Sequence, residues 1–400
     1  DVSMLQQQPR QAAVSYRVCA ALAPGDGSAW LRLGDALAAT GADAGSLSAW
    51  QRAGAAGDDT GYARLAEHAE GLGRLDEAVH WWSRVSQGNE VAQGHLGLLA
   101  LAQGNVDAAR ARFYALARSQ SPYAVSLRDA GVYLLANRAP TSALDEENIG
   151  FALLALNEPA LALGPWRQAA QLAPTDGSAR AYYGWALWLL GQREAARPEI
   201  AAGLRYGSAL PFAYYAAGQV ALADGAFAQA LARFQTGLEI DPKNPALWSA
   251  AGDAALAQAD YVTAGLSYSN AAQFSADPAF TIALIHFYFD HGIGVGDGQA
   301  LQLAFAAVRR FPTCEPLVFL KGRMYDSIGQ QTQAYYAFQQ ANTLDPTDPG
   351  PWYYLGRYAA ANGEVIPAVV DLRTALALQP AGAYAAQARH TLASFHQYTL

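Results

Sequence analysis

"LEIDPKNPALWSAAGDAALAQADYVTAGLSYSNAA", residues 238–272, returns later in the chain as "NTLDPTDPGPWYYLGRYAAANGEVIPAVVDLRTAL", residues 342–376. Both stretches place Asp-Pro, a second Pro, Trp, Gly and a late Ala in the same order. Their charged residues do not recur. A pattern that keeps small residues, aromatics and prolines but releases its charges is a packing pattern, because charges point to water and packed side chains cannot vary freely.

The pattern extends outward from these two stretches. One Gly column falls at Gly150, Gly184, Gly218 and Gly252, in steps of 34, and resumes at Gly322 and Gly356. His286 takes the Gly place between them. An Ala column agrees: Ala162, Ala196, Ala230, Ala264, Ala300, Ala334 and Ala368. Its one irregular step, from Ala264 to Ala300, places a two-residue insertion in "DHGIGVGDG" (residues 290–298). A third column is Pro174, Pro242, Pro312, Pro346 and Pro380. The spacing loosens toward the N-terminus, where Gly34 and Gly97 still fit.

Two helices per unit account for the columns. In "GAFAQALARFQTGLEI" (residues 225–240) Phe227, Ala230, Leu231, Phe234 and Leu238 recur at intervals of three and four, one face of an amphipathic helix. Gly225 is expected to end the preceding helix, where a positive φ suits Gly. Gly and Ala columns are expected at a close crossing of the two helices. The aromatic column (Trp50, Trp82, Phe113, Trp166, Phe234, Tyr268, Phe338) fills the space beside it. Pro after Asp, as in Asp241-Pro242 and Asp345-Pro346, stops the second helix.

These residues resemble the tetratricopeptide repeat family. One unit reads Trp352, Leu355-Gly356, Ala359, Ala368, Leu372, Ala375 and Pro380; another reads Trp248, Ala251-Gly252, Ala255, Ala264, Tyr268 and Ala271. Ile200 and Ala304 depart from the second aromatic, and His286 from the Gly. The resemblance covers nearly the whole chain. It implies an all-α, right-handed α-solenoid of roughly ten helical hairpins, with repeats beginning near residues 27, 59, 90, 143, 177, 211, 245, 279, 315 and 349. Residues 3–24 read as a second helix without a first, and residues 382–400 as a first helix without a second, so half-repeats are expected at both ends. The array breaks once. The expected organisation is an N-terminal array over 1–118, an irregular extra helix or kink over 119–142, and a C-terminal array over 143–400. "PTSALDEE" (residues 140–147) reads as a capped helix start at Thr141 or Ser142.

Composition narrows the function. The 400 residues carry a formal charge of −8, only 15% are charged, and Lys243 and Lys321 are the only lysines. No nucleic-acid partner is expected, because phosphate binding needs a basic face. A basic carboxylate clamp of the kind some tetratricopeptide proteins use is not expected either. Cys19 and Cys314 form no CxxC, and no membrane span is expected, since no apolar run approaches ~18 residues. The chain begins "DVSMLQQQPR", without Met, as expected of a processed chain or a piece of a longer one. Its compartment is left open between the cytoplasm and, after removal of a targeting segment, an extracytoplasmic location. "GIGVGDG" (residues 292–298) lacks the spacing and the strand of a phosphate loop and reads as a lengthened turn. The histidines form no HExxH and no metal pair at helical spacing, and there is no GxSxG. No catalytic residue, cofactor or metal is expected.

The resemblance places the first helix of each pair on the concave surface. In phase, its inward positions include Phe151, Trp185, Trp188, Phe212, Tyr215, Phe287, Phe319 and Tyr353. A wall so aromatic and so poor in charge points to a groove for an extended peptide or a helix of a partner protein. A glycan stacked on the rings is a weaker expectation. The competing structural reading buries the rings inside a tightly wound array. Two further alternatives are a subunit that stacks head to tail with copies of itself through Tyr16, Cys19, Leu392 and Phe395, and a substrate-gripping domain of a larger enzyme such as a glycosyltransferase.

Overall fold

The computed structural model describes residues 9–129, 141–156, 158–293 and 298–395. Among the described residues there are 23 α-helices and no strands. Helix α1 (Pro9–Leu22) stands alone. Three hairpins follow: α2/α3 (Gly27–Ala38, Asp43–Ala55), α4/α5 (Asp59–Gly71, Leu75–Trp82) and α6/α7 (Glu90–Ala102, Val106–Leu116). Helix α8 (Pro122–Asp129) begins the expected irregular segment, whose residues 130–140 lie outside the described residues. Four hairpins come next: α9/α10 (Ala143–Ala155, Pro159–Leu172), α11/α12 (Gly177–Leu189, Arg193–Tyr206), α13/α14 (Pro211–Ala223, Phe227–Ile240) and α15/α16 (Pro245–Ala257, Tyr261–Phe274). The last three are α17/α18 (Pro278–Asp290, Gln299–Arg310), α19/α20 (Glu315–Ser327, Gln331–Leu344) and α21/α22 (Pro349–Ala361, Val365–Leu378), followed by α23 (Ala385–Ser394). The expected α-solenoid of helical hairpins is therefore the fold. It comprises two compact units, residues 10–240 and 241–400.

The columns have direct physical causes. A Cβ added at Gly218 would lie 2.3 Å from the Phe234 ring, one at Gly252 2.8 Å from Tyr268, one at Gly322 2.6 Å from Phe338, and one at Gly150 2.2 Å from Trp166. Each Gly of a first helix thus receives the large side chain of its second helix. Ala162, Ala196, Ala230, Ala264, Ala334 and Ala368 are fully buried beside those rings. Where Ile200 and Leu372 replace the ring, they fill the same place against Gly184 and Gly356. In hairpin α17/α18, His286 holds the Gly place and the two helices are the most loosely packed pair. His286 is half-exposed, its Nδ1 3.1 Å from the Asp290 carboxylate. Residues 294–297, within the stretch that carries the two-residue insertion, lie outside the described residues.

Starts and stops follow the sequence as well. First helices are capped by Asp26, Asp58, Asn89, Asp176, Asn244, Asp277 and Asp348, whose side chains accept backbone N–H bonds of the opening turn. Ser142 and Asp145 form a reciprocal capping box on α9. Gly225 closes α13 at φ +73°. One recurring device escaped the sequence reading. The indole N–H groups of Trp30, Trp248 and Trp352 donate to the carbonyls of Pro24, Pro242 and Pro346, six residues back, at 2.8–2.9 Å. These three first helices, α2, α15 and α21, are thereby tied to the turns that precede them.

Candidate functional site

Within residues 10–240, the first helices of successive hairpins pack on one another, α9 on α11 and α11 on α13, which second helices do not do to a comparable extent. The first helices therefore form the inner layer here. Helix α13 has no charged residue and α11 has only Arg180. Helices apolar on every side are expected to be buried. Here one side of each packs on its second helix, and the inner side carries rings.

These rings form a continuous series. Phe151 of α9 meets Tyr182 of α11 edge to face at 4.6 Å, and Tyr182 meets Phe212 of α13 at 4.5 Å. Trp185 contacts Phe212 at 6.1 Å and Tyr215 at 5.4 Å, both edge to face. Tyr215 reaches Phe234 of the hairpin core at 6.3 Å. Phe151 is 38% exposed and Leu189 44%. Tyr182, Trp185, Trp188, Phe212 and Tyr215 are half-buried. Trp188 lies under the Arg193 guanidinium, 5.1 Å from its ring centre. Tyr182, which links the series, was not among the expected groove residues. Its position in neighbouring units is held by Asn148 and Ala216, so no column marked it. Burial first, then the Glu147 charge, raises its phenol above the ordinary value. Glu147 itself is buried at the head of α9 and accepts a 2.8 Å bond from the Ser178 hydroxyl. Arg180, the one charged residue of α11, pairs with Glu199 of its second helix at 2.7 Å, and Arg197 of α12 makes a two-pronged pair with Asp224 in the turn after α13 at 2.7 Å.

The other expected rings lie in residues 241–400, where they pack within their own unit. Phe287 is buried between Tyr268 at 5.4 Å and His291 at 5.7 Å. Phe319 is half-buried against Phe338 and Tyr354, and Tyr353 is buried and stacked on Tyr384 at 4.8 Å. Of the residues expected at the ends, Tyr16 is buried, Cys19 is exposed, and Leu392 and Phe395 are half-buried. Cys19 and Cys314 are free thiols. No helix among the described residues is long and apolar enough to cross a membrane.

No protein-family model and no curated protein matches the chain. Solved structures do resemble it. Yeast Tom70 is similar over 93% of this chain and 88% of its own, with 13% identity and a TM-score of 0.47. Pseudomonas aeruginosa pilF covers 54% of this chain and 96% of its own at 14% identity and a TM-score of 0.45. A tetratricopeptide repeat protein from Parabacteroides merdae covers 63% and 97% at 12% identity and a TM-score of 0.43. By its repeat columns and the hairpins they build, the chain is an α-solenoid of helical hairpins.

Proposed function

We propose that the chain is a non-catalytic interaction module that grips an extended, apolar segment of a partner protein on the rings of α9, α11 and α13. The observation that carries this reading is the run of partly exposed rings from the first helices of three successive hairpins, of which α13 has no charged residue and α11 only Arg180. Phe151, Trp185, Trp188, Phe212 and Tyr215 supply its contacts, and Tyr182 joins them. Rings with few rotatable bonds lose little entropy on contact, so such a face favours binding without new ordering. The partner expected from it is apolar or aromatic, in extended or helical form.

A displayed peptide library selected on the full chain tests the reading, with Trp185→Ala/Trp188→Ala as the counter-target. Selected peptides should lose about thirtyfold or more in affinity for the double variant, the loss of a hot-spot aromatic. The variant should keep its helix content by circular dichroism. Peptides that bind both proteins equally would refute the site. A double variant that unfolds would show that the rings are core.

A further inference from the structure

Helix α10 packs on α6 and α4, bringing three ionisable side chains from distant parts of the sequence together. Glu70 of α4 is 4% exposed and His95 of α6 is 9% exposed, in surroundings otherwise built of Leu, Ala and Trp. Glu158, at the head of α10, is half-buried. One ligating atom from each residue lies within 4.8 Å of the other two. His95 Nδ1 faces both Glu70 oxygens, at 3.2 and 3.1 Å. The imidazole lies nearly parallel to Trp82, at 4.5 Å, and to Tyr123, at 5.7 Å. Trp82 Nε1 donates to Glu70 at 2.8 Å. Ring and carboxylate are both held in place, and both point into the cluster.

Charge is unbalanced there. Two carboxylates share one imidazole, and the nearby Glu67 adds to the negative field while pairing with Arg64 at 3.0 Å. Buried carboxylates are costly unless paired or bound to a metal.

We propose that Glu70, His95 and Glu158 bind one divalent transition-metal cation, with zinc best suited to their mixed imidazole–carboxylate set. The cation would take the place of the proton between His95 and Glu70, and its two positive charges would neutralise the two carboxylates. Zinc–ligand distances of about 2.0–2.2 Å in a tetrahedral site set neighbouring donor atoms roughly 3.3–3.5 Å apart. The His95–Glu70 separation is already close to that, and Glu158 closes the set by a small side-chain shift. Trp82 then acts as the outer partner that orients Glu70, as such partners do in metal sites. Calcium and magnesium, which need six or more oxygen ligands, do not fit three donors in an apolar core. The ion would clasp hairpins on the two sides of the irregular segment 119–142.

The full chain, stripped with EDTA, is dialysed against zinc, and bound metal is measured together with the melting temperature. One zinc per chain and a raised melting temperature are expected. Cobalt in its place should give the visible absorption bands of a tetrahedral site. Glu158→Gln removes a ligand from a half-exposed position without emptying the core. It should weaken zinc binding about tenfold or more, with the metal-free melting temperature kept or raised. No zinc uptake by the wild-type chain would overturn the proposal. So would equal affinity in Glu158→Gln, which would assign the ion to surface histidines.

Discussion

Gly218 shows how a single missing side chain fixes the spacing of a hairpin. Phe234 occupies the space a Cβ would need, at 2.3 Å, and both residues are buried. Replacing Gly218 with Leu should force α13 and α14 apart and cost about 1–3 kcal/mol or more, read as a fall in melting temperature. An unchanged melting temperature would contradict this packing. Glu315, in the first turn of α19, poses a different problem. It is 8% exposed, and one of its oxygens has no hydrogen-bond partner. Burial, then the charges of Asp348 and Asp345, lifts its carboxyl from 4.5 up to about 8. The folded chain therefore keeps a proton that the unfolded chain releases, so this residue's contribution to stability is lost as pH rises from 4.5 to about 8. Glu315→Gln, uncharged throughout, should melt higher than wild type near pH 8. That advantage should shrink toward about pH 5 in thermal melts at both values.

At the scale of the helix, the turn between first and second helices is where the units agree most closely in conformation. Gly191, Gly225, Gly329 and Gly363 occupy it at φ +72° to +78°. The unit of α15/α16 places Ala259 there at φ +58°, the only non-glycine residue at positive φ among the described residues. A left-handed conformation costs an L-residue roughly 1–2 kcal/mol, part of which is offset because Gly makes the unfolded chain more flexible. Ala259→Gly should therefore stabilise the chain by about 0.5–1 kcal/mol, measured by denaturant unfolding. The same substitution at an Ala inside α15 should destabilise it. The indole-to-proline bonds of Trp30, Trp248 and Trp352 act at this scale too, joining these three first helices to the turns before them.

At the scale of the whole molecule, the two compact units are built by one rule but put their aromatic residues to different uses. In residues 10–240, Phe151, Trp185 and Phe212 stay partly exposed on the inner helices, whereas in residues 241–400 Phe287 and Tyr353 are buried among neighbouring rings. Their repeat positions do not distinguish them. Phe151, Trp185 and Phe287 share one column, and only the side chains of adjacent helices decide which ring meets solvent. The amino-acid sequence alone determined the hairpins, their starts, their turns and their crossings. Partners such as Gly218 and Phe234 lie within one unit, and the same pair recurs along the chain, so periodicity reveals it. Tertiary structure decided the rest. Tyr182 joins the ring series at a position no column shares, Glu315 is buried against Asp348 of the next hairpin, and Glu70, His95 and Glu158 meet only because α10 packs on α4 and α6. Contacts between different repeats depend on how whole helices stack, and residues that make such a contact only once leave no period in the sequence.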